Sequence, residues 1–352
     1  MSCTKTVVAA LALVAATCAG CGSDDASAGQ PSPTEAGTQD SGSAGSGGAG
    51  GTGGNAGSPG PGHVTYVVGG ALYLAEATDG ATPTNLSDKL DGISSGAEHN
   101  GNLSPDGNWL LLLTTRFGCE DWECLVVVDR QLGNPSIVKP GGGDVVHGET
   151  AAVASGGKLV VYEAEGGPHD LDLYVTMRQD DAWSAAQLLT GDSPLPYNRQ
   201  PAWSDDGSKI AFDCGESAYS QELTSICEVA ADGSGLRVVV GPDDDPDGAT
   251  GGRVHSPDYA PDGSLVFEGE WGREEIYRLS PGDSVPALIG KGYDNDNTPC
   301  VLPDGRIVSF WLNAPGNGEG NHEVKVMDAD GAAYFMLMSG ADGYDNTLGC
   351  GR

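Results

Sequence analysis

The chain has 352 residues, 50 acidic and 17 basic side chains, and a formal net charge of -33. A polyphosphate would be repelled over almost the whole surface, which excludes a general nucleic-acid binder. Only 6% of residues are aromatic while 56 are glycine, a balance that points to many turns and at least one flexible tract.

Lys5 precedes an apolar run from Val7 to Ala16. The run is short for a bilayer span and suits the core of a secretory signal. It leads into Cys18-Ala19-Gly20-Cys21, which resembles a bacterial lipoprotein signal with Cys18 standing where the pattern prefers leucine. The resemblance implies a signal peptide over residues 1–20 and a lipidated (palmitate-bearing) Cys21 as mature N-terminus. An ordinary secretory cleavage with an incidental cysteine is the alternative. Residues 22–62 hold 14 Gly and 7 Ser and no aromatic residue. Such a segment buries too little surface to offset its ordering entropy. Residues 21–62 therefore read as a lipidated, disordered tether whose ends lie roughly 35 Å apart on average.

The folded part is expected over residues 63–352, with 46 acids against 16 bases. A repeat organises it. Asn102-Leu103-Ser104-Pro105-Asp106-Gly107, Ala202-Trp203-Ser204-Asp205-Asp206-Gly207, Asp258-Tyr259-Ala260-Pro261-Asp262-Gly263 and Cys300-Val301-Leu302-Pro303-Asp304-Gly305 align, with a weaker copy at Ala152–Gly157. Turn starts at 105, 155, 205, 261 and 303 give spacings of 50, 50, 56 and 42. Each turn precedes an apolar strand: Trp109–Thr114, Lys158–Tyr162, Lys209–Asp213, Ser264–Glu268 and Arg306–Phe310. Pro-Asp-Gly suits a hairpin because proline presets φ, aspartate bonds the local backbone and glycine takes φ > 0. A second strand pair follows, as at Ile226–Ala230 and Leu236–Val240. Four strands per unit at this period indicate a β-propeller.

Ala202-Trp203-Ser204-Asp205-Asp206-Gly207-Ser208-Lys209-Ile210-Ala211-Phe212 resembles the WD40-like (PD40) repeat of TolB-type propellers, as does the turn Asp328-Ala329-Asp330-Gly331. The resemblance covers most of residues 63–352 and speaks for fold more than for function. Six blades are expected in an all-β fold. Val64–Val68, Ala71–Ala75 and Pro83–Leu86 supply three strands of blade one, without its inner strand. Asn346-Thr347-Leu348-Gly349-Cys350 echoes Asn297-Thr298-Pro299-Cys300, so residues 346–350 are expected to complete that blade and close the ring.

Six cysteines follow Cys21, an even number for an oxidising compartment. Cys119 with Cys124, and Cys214 with Cys227, flank the connection between second and third strands of their blades. Cys300 and Cys350 fall on neighbouring inner strands of the closed ring. Three disulfides are expected, and metal binding is the rival reading.

The loops that lead into the inner strands converge on one mouth of the channel. Six positions before each turn start stand His99, Glu149, Arg199, His255 and Asn297, with Asn346 by the C-terminal match and His147 two residues further out. This ring is the candidate ligand-binding site. Two imidazoles and Glu149 suit a divalent cation, and Arg199 an anionic group, although His99 and His255 fall on opposite blades. Polar, merely solvated residues are the simpler account. The acidic loop Asp243-Asp244-Asp245-Pro246-Asp247-Gly248 lacks EF-hand spacing and reads as solvated, and Asp294–Asn297 is weaker still. Gly92-Ile93-Ser94-Ser95-Gly96 matches G-x-S-x-G, but no helical pattern surrounds it, so it reads as a chance match.

The expectation is an envelope-anchored bacterial lipoprotein, at the outer membrane. Its monomeric propeller would bind a protein or glycan partner without catalysis and without a required cofactor or nucleic acid. The alternative is a metal-assisted lyase or hydrolase acting on acidic carbohydrate at the channel mouth, with a divalent cation.

Overall fold

The structure is a computed structural model that describes residues 60–119, 122–148, 150–216, 224–272, 274–289, 296–312, 322–342 and 348–351. The signal segment, Cys21 and most of the tether lie outside the described residues.

Six antiparallel sheets follow one another as the blades of a propeller. From the axis outward, blade two runs Glu98–Leu103, Trp109–Thr114, Cys124–Asp129 and Ser136–Ile137. Blades four, five and six repeat the order, with inner strands Tyr197–Trp203, Arg253–Tyr259 and Asp296–Val301. Blade three starts at Ala151–Val153 and splits its outermost strand into Ala182–Trp183 and Gln187–Leu188, both paired with Asp172–Gln179. In blade one the inner strand is Gly349–Gly351, set against His63–Val68 with Cys350 opposite Val64. The C-terminal strand thus closes the ring, as the echo of the last unit predicted.

The repeated turn is built from its own side chains. In blade two the Ser104 hydroxyl donates to Asp106, and the Asn108 N–H donates to the same carboxylate oxygen at 3.2 Å. The Trp109 N–H donates to Ser104 Oγ at 3.1 Å. Blade four repeats all three bonds with Ser204, Asp206, Ser208 and Lys209. Gly107 and Gly207 sit at φ 64° and 68°, where a Cβ would be strained. In these two blades serine caps the hairpin, while blades five and six close the same turn with Ala260 and Leu302 at that position and keep the aspartate and glycine.

Second strands are sandwiched between blades, so they lack the polar alternation of a one-sided sheet. Leu110, Leu111, Leu112 and Leu113 are all buried. Apolar residues fall into six clusters, each joining neighbouring blades: Val64 and Tyr66 of blade one, for example, pack with Val308 and Phe310 of blade six. Each fully buried side chain of this size contributes about 1.5–3 kcal/mol, and sheet-to-sheet packing repeated round the ring holds the blades together.

All three disulfides are formed, with Cα–Cα distances of 5.7 Å (Cys119–Cys124), 5.8 Å (Cys214–Cys227) and 5.6 Å (Cys300–Cys350). The last ties the inner strands of blades six and one. Arg306 reinforces that seam by donating to Ala77 O at 2.7 Å and to Pro61 O at 2.6 Å.

One element departs from the sequence reading. A short helix, Leu86–Asp91, follows the outer strand of blade one, where no helical pattern was expected. Asn85 caps it by accepting from the Asp88 N–H at 3.0 Å, and Leu86 and Leu90 plug the cluster between blades one and two. The G-x-S-x-G segment comes after this helix, not on a turn between a strand and a helix. Ser94 Oγ accepts from the Phe117 N–H at 2.9 Å, and the buried Arg116 donates to Ser94 O. Ser94 is engaged in holding its loop.

Candidate functional site at the channel mouth

Inner strands of blades four, five and six carry an irregularity at the level where the candidate ring was placed. The register slips between Arg199 and Ala202, between His255 and Asp258, and between Asn297 and Cys300. Within each slip one non-glycine residue takes a left-handed φ: Gln200 at 51°, Ser256 at 53° and Thr298 at 46°. That conformation costs roughly 1–2 kcal/mol per residue and is held by hydrogen bonds from the preceding blade. Ser256 N–H donates to Asp213 at 2.8 Å, and Thr298 N–H donates to Glu268 at 2.9 Å. Gln200 N–H donates to Thr150 Oγ1 at 2.9 Å, and that hydroxyl in turn donates to Glu163. Glu163, Asp213 and Glu268 hold corresponding places on second strands. Each reaches towards the next blade, directly or through Thr150, and draws the ring together.

On this framework His255 lies 18% exposed beside two carboxylates of its own blade. Its Nε2 is 3.0 Å from Glu270 Oε1 and 3.4 Å from Glu268 Oε1, and its Nδ1 is 3.3 Å from Ser256 Oγ. Arg253 grips Glu270 with two guanidinium nitrogens. Burial works against a charged imidazole here, but Glu268, Glu270 and Asp213 outweigh it and hold the His255 pKa up at about 9. Burial pushes Glu268 up to about 7, against the pull of His255 and the Thr298 N–H. Glu270 is half-buried, yet His255 and Arg253 hold it below the usual carboxylate range. The result is a compact imidazolium–carboxylate–guanidinium cluster. Ligand atoms of His255, Glu268 and Glu270 lie within 4.8 Å of one another and can converge on one cation. A cation there would have to displace the imidazole proton and compete with Arg253 for Glu270.

His99 belongs to a different group. Its side chain is 60% exposed and its Nδ1 stands 3.9 Å from Glu123 Oε1. His147 Nδ1 lies 2.6 Å from the Glu123 carbonyl. Both histidines therefore meet the disulfide-closed loop of blade two at Glu123, next in sequence to Trp122, a residue 75% exposed. Arg199 pairs in register with Asp213 and is partly exposed. Asn297 lies opposite Phe310, with its Oδ1 buried and unpartnered. Glu149 and Asn346 lie outside the described residues. Of the predicted ring, the structure thus brings His99 and His147 to one loop and sets His255 among carboxylates that the sequence reading did not single out. Glu268-Gly269-Glu270, an acid alternation on a strand, was the available signal for the latter. Trp122, polar-flanked between two cysteines, was the signal for an exposed aromatic.

In the acidic loop, Asp243 accepts from the Gly251 N–H at 3.0 Å, Asp244 from Gly241 at 2.7 Å and Asp245 from Ala249 at 2.7 Å. These carboxylates organise their own loop. Asp294 lies outside the described residues.

No family model and no curated protein matches the chain. Solved structures do. A TolB structure from Acinetobacter baumannii superposes with a TM-score of 0.58 at 13% identity, covering 83% of this chain and 67% of that one. A structure described as TolB from Agrobacterium tumefaciens gives 0.53 at 19% identity, covering 81% and 91%. A chain of the nidogen/laminin complex gives 0.54 at 11% identity, covering 82% and 98%. At these identities the likeness is one of fold, and the fold is a TolB-like six-bladed β-propeller.

Proposed function

We propose that the chain is an envelope-anchored lipoprotein whose propeller binds a protein or glycan partner, without catalysis, at the mouth where the inner strands begin. Trp122 carries this reading. It is the most exposed large apolar side chain among the described residues, at 75%. Its loop is closed by the Cys119–Cys124 bond, and its neighbour Glu123 is met by His99 and His147. An aromatic side chain on a disulfide-closed loop costs less backbone freedom on binding than one on an open loop, and exposed tryptophans are enriched among interface hot spots. The nidogen/laminin complex supplies a protein-bound propeller of the same fold. Cys21 and the glycine-rich segment after it would hold this face off a membrane.

Sedimentation of the full-length chain with envelope glycan, together with crosslinking to envelope proteins, tests the reading. Trp122→Ala should weaken whichever association occurs at least tenfold. Undiminished association in the variant would sink it. Cys21→Ser should abolish palmitate incorporation and move the chain to the soluble fraction. The lyase alternative rests on the His255, Glu268 and Glu270 cluster. Elemental mass spectrometry should find no stoichiometric metal, and one tightly held ion lost in His255→Ala would move the reading to an enzyme.

A further inference from the structure

The axial channel contains a cavity of about 110 Å³ at the end opposite the mouth described above. Its outer edge includes Pro105, Asp205, Pro261 and Pro303, the residues that start the repeated turns. Deeper in, the strand registers place Asn102, Ala152, Ala202, Asp258, Cys300 and Cys350 at one level, one from each blade. Asn102 and Asp258 come from opposite blades. The two alanines and the disulfide leave the space between them open.

The chemistry of this wall is one-sided. Two carboxylates, Asp205 and Asp258, line the cavity, and no lysine, arginine or histidine does. Besides the turn prolines at the outer edge, Pro201, Pro257 and Pro299 line the cavity and have no N–H to offer. Asp258 is already fixed by the Val301 N–H at 2.7 Å and the Tyr259 N–H at 2.9 Å, leaving lone pairs for a further donor. Asn102 Oδ1 is buried and has no hydrogen-bond partner. Gln200, only 5% exposed, lines the inner end. Its Oε1 accepts from Ser256 at 3.2 Å while its Nε2 is unpartnered. Buried polar groups of this kind ordinarily find partners. A wall with two carboxylates, an open amide oxygen and no positive side chain selects a cation that donates hydrogen bonds. At a water's share of about 30 Å³, the space suits a head group of roughly four heavy atoms.

We propose that this cavity is a binding site for a primary ammonium group, held at Asp258 on the wall that faces Asn102 and admitted through the turn-bearing end of the channel. The site is independent of the partner-binding mouth. Two sources share its chemistry: a small free amine, or a lysine side chain of a bound protein.

Saturation-transfer NMR on the full-length chain in detergent at pH 8, with n-propylammonium chloride as probe, tests the site. Burial pushes the Asp258 carboxyl up to about 7, so it is ionised at that pH. The expected result is saturable binding with a dissociation constant on the order of millimolar, the range open to so small a ligand. Asp258→Asn should weaken it at least tenfold, and n-propanol should not compete. Asp258 also accepts two backbone bonds, so Ala202→Leu, which fills the cavity and leaves those bonds in place, is the second variant and should abolish binding. Competition by Nα-acetyl-lysine amide would identify a protein lysine as the source, and binding of n-propylammonium without that competition would identify a free amine. No saturable signal, equal competition by n-propanol or sodium, or binding unchanged in Ala202→Leu would overturn the proposal.

Discussion

Removing the Cys300–Cys350 bond should cost more stability than removing either of the other two disulfides. Its partners are 50 residues apart, against 5 for Cys119–Cys124 and 13 for Cys214–Cys227. In the chain-entropy account these loops correspond to about 4, 2 and 3 kcal/mol respectively. The structure adds a second reason for that order. The closing strand Gly349–Gly351 pairs with His63–Val68 at only three positions, and without the bond the seam rests on those pairs, on Thr65, Arg306 and Asp342 hydrogen bonds and on the local apolar cluster. Cys300→Ala/Cys350→Ala and Cys119→Ala/Cys124→Ala should be compared by thermal unfolding followed by circular dichroism. The seam variant is expected to melt about 6–7 °C below the wild type, taking roughly 1.6 °C per kcal/mol from an unfolding entropy of about 2.1 cal/mol/K per residue. The loop variant should lose about half as much. Hydrogen exchange in the seam variant should rise first at the closing strand. Equal losses in the two variants, or exchange that rises evenly through all blades, would refute the argument.

Other outcomes follow from single contacts. Lys325→Met should destabilise the fold by about 3–5 kcal/mol, because it strands the buried Asp296 that Lys325 and Ser309 satisfy, and adding Asp296→Leu should recover most of the loss in a denaturant titration. Trp122→Ala should leave the unfolding free energy within about 0.5 kcal/mol of wild type, since the side chain is exposed, so any loss of partner binding reads as a lost contact. The His255 pKa is raised from its ordinary 6.5 to about 9, so the folded state holds this proton more tightly. Its stabilising contribution is full below about pH 6.5 and fades as pH rises through about 9. Unfolding titrations at pH 6.5 and 9.5 should show that fall, and His255→Gln should flatten it.

The turn chemistry is why so much of the fold was legible. Asp106 and Gly107 each answer to one bond or one φ value, and the Asp-Gly pair recurs in the hairpins of blades two, four, five and six, with the serine cap added in blades two and four. The echo of Asn297–Cys300 in the last residues marked the closure in the same way, and with it the Cys300–Cys350 pairing. The helix Leu86–Asp91 was missed because its signals are brief: one asparagine cap and two leucines four apart. The mouth was less legible for a different reason. Counting six positions back assumes regular strands, but Gln200, Ser256 and Thr298 take left-handed φ without any glycine to announce it. In blade two the register likewise slips between Glu98 and Asn100, leaving Glu98 buried against Arg116 while His99 faces outward. The carboxylates that surround His255 come from neighbouring strands and a neighbouring blade, distances along the chain that a motif search does not span.

The claim that partners engage the mouth beside Trp122 is tested most directly by site-specific photocrosslinking in intact envelopes. Benzoylphenylalanine replaces Trp122 in one chain and Val285, also exposed and on a loop at the other end of the propeller, in a second. Discrete adducts from position 122, with none from 285, are the expected result. Adducts that are equal at the two positions, or confined to 285, would contradict the placement of the binding face.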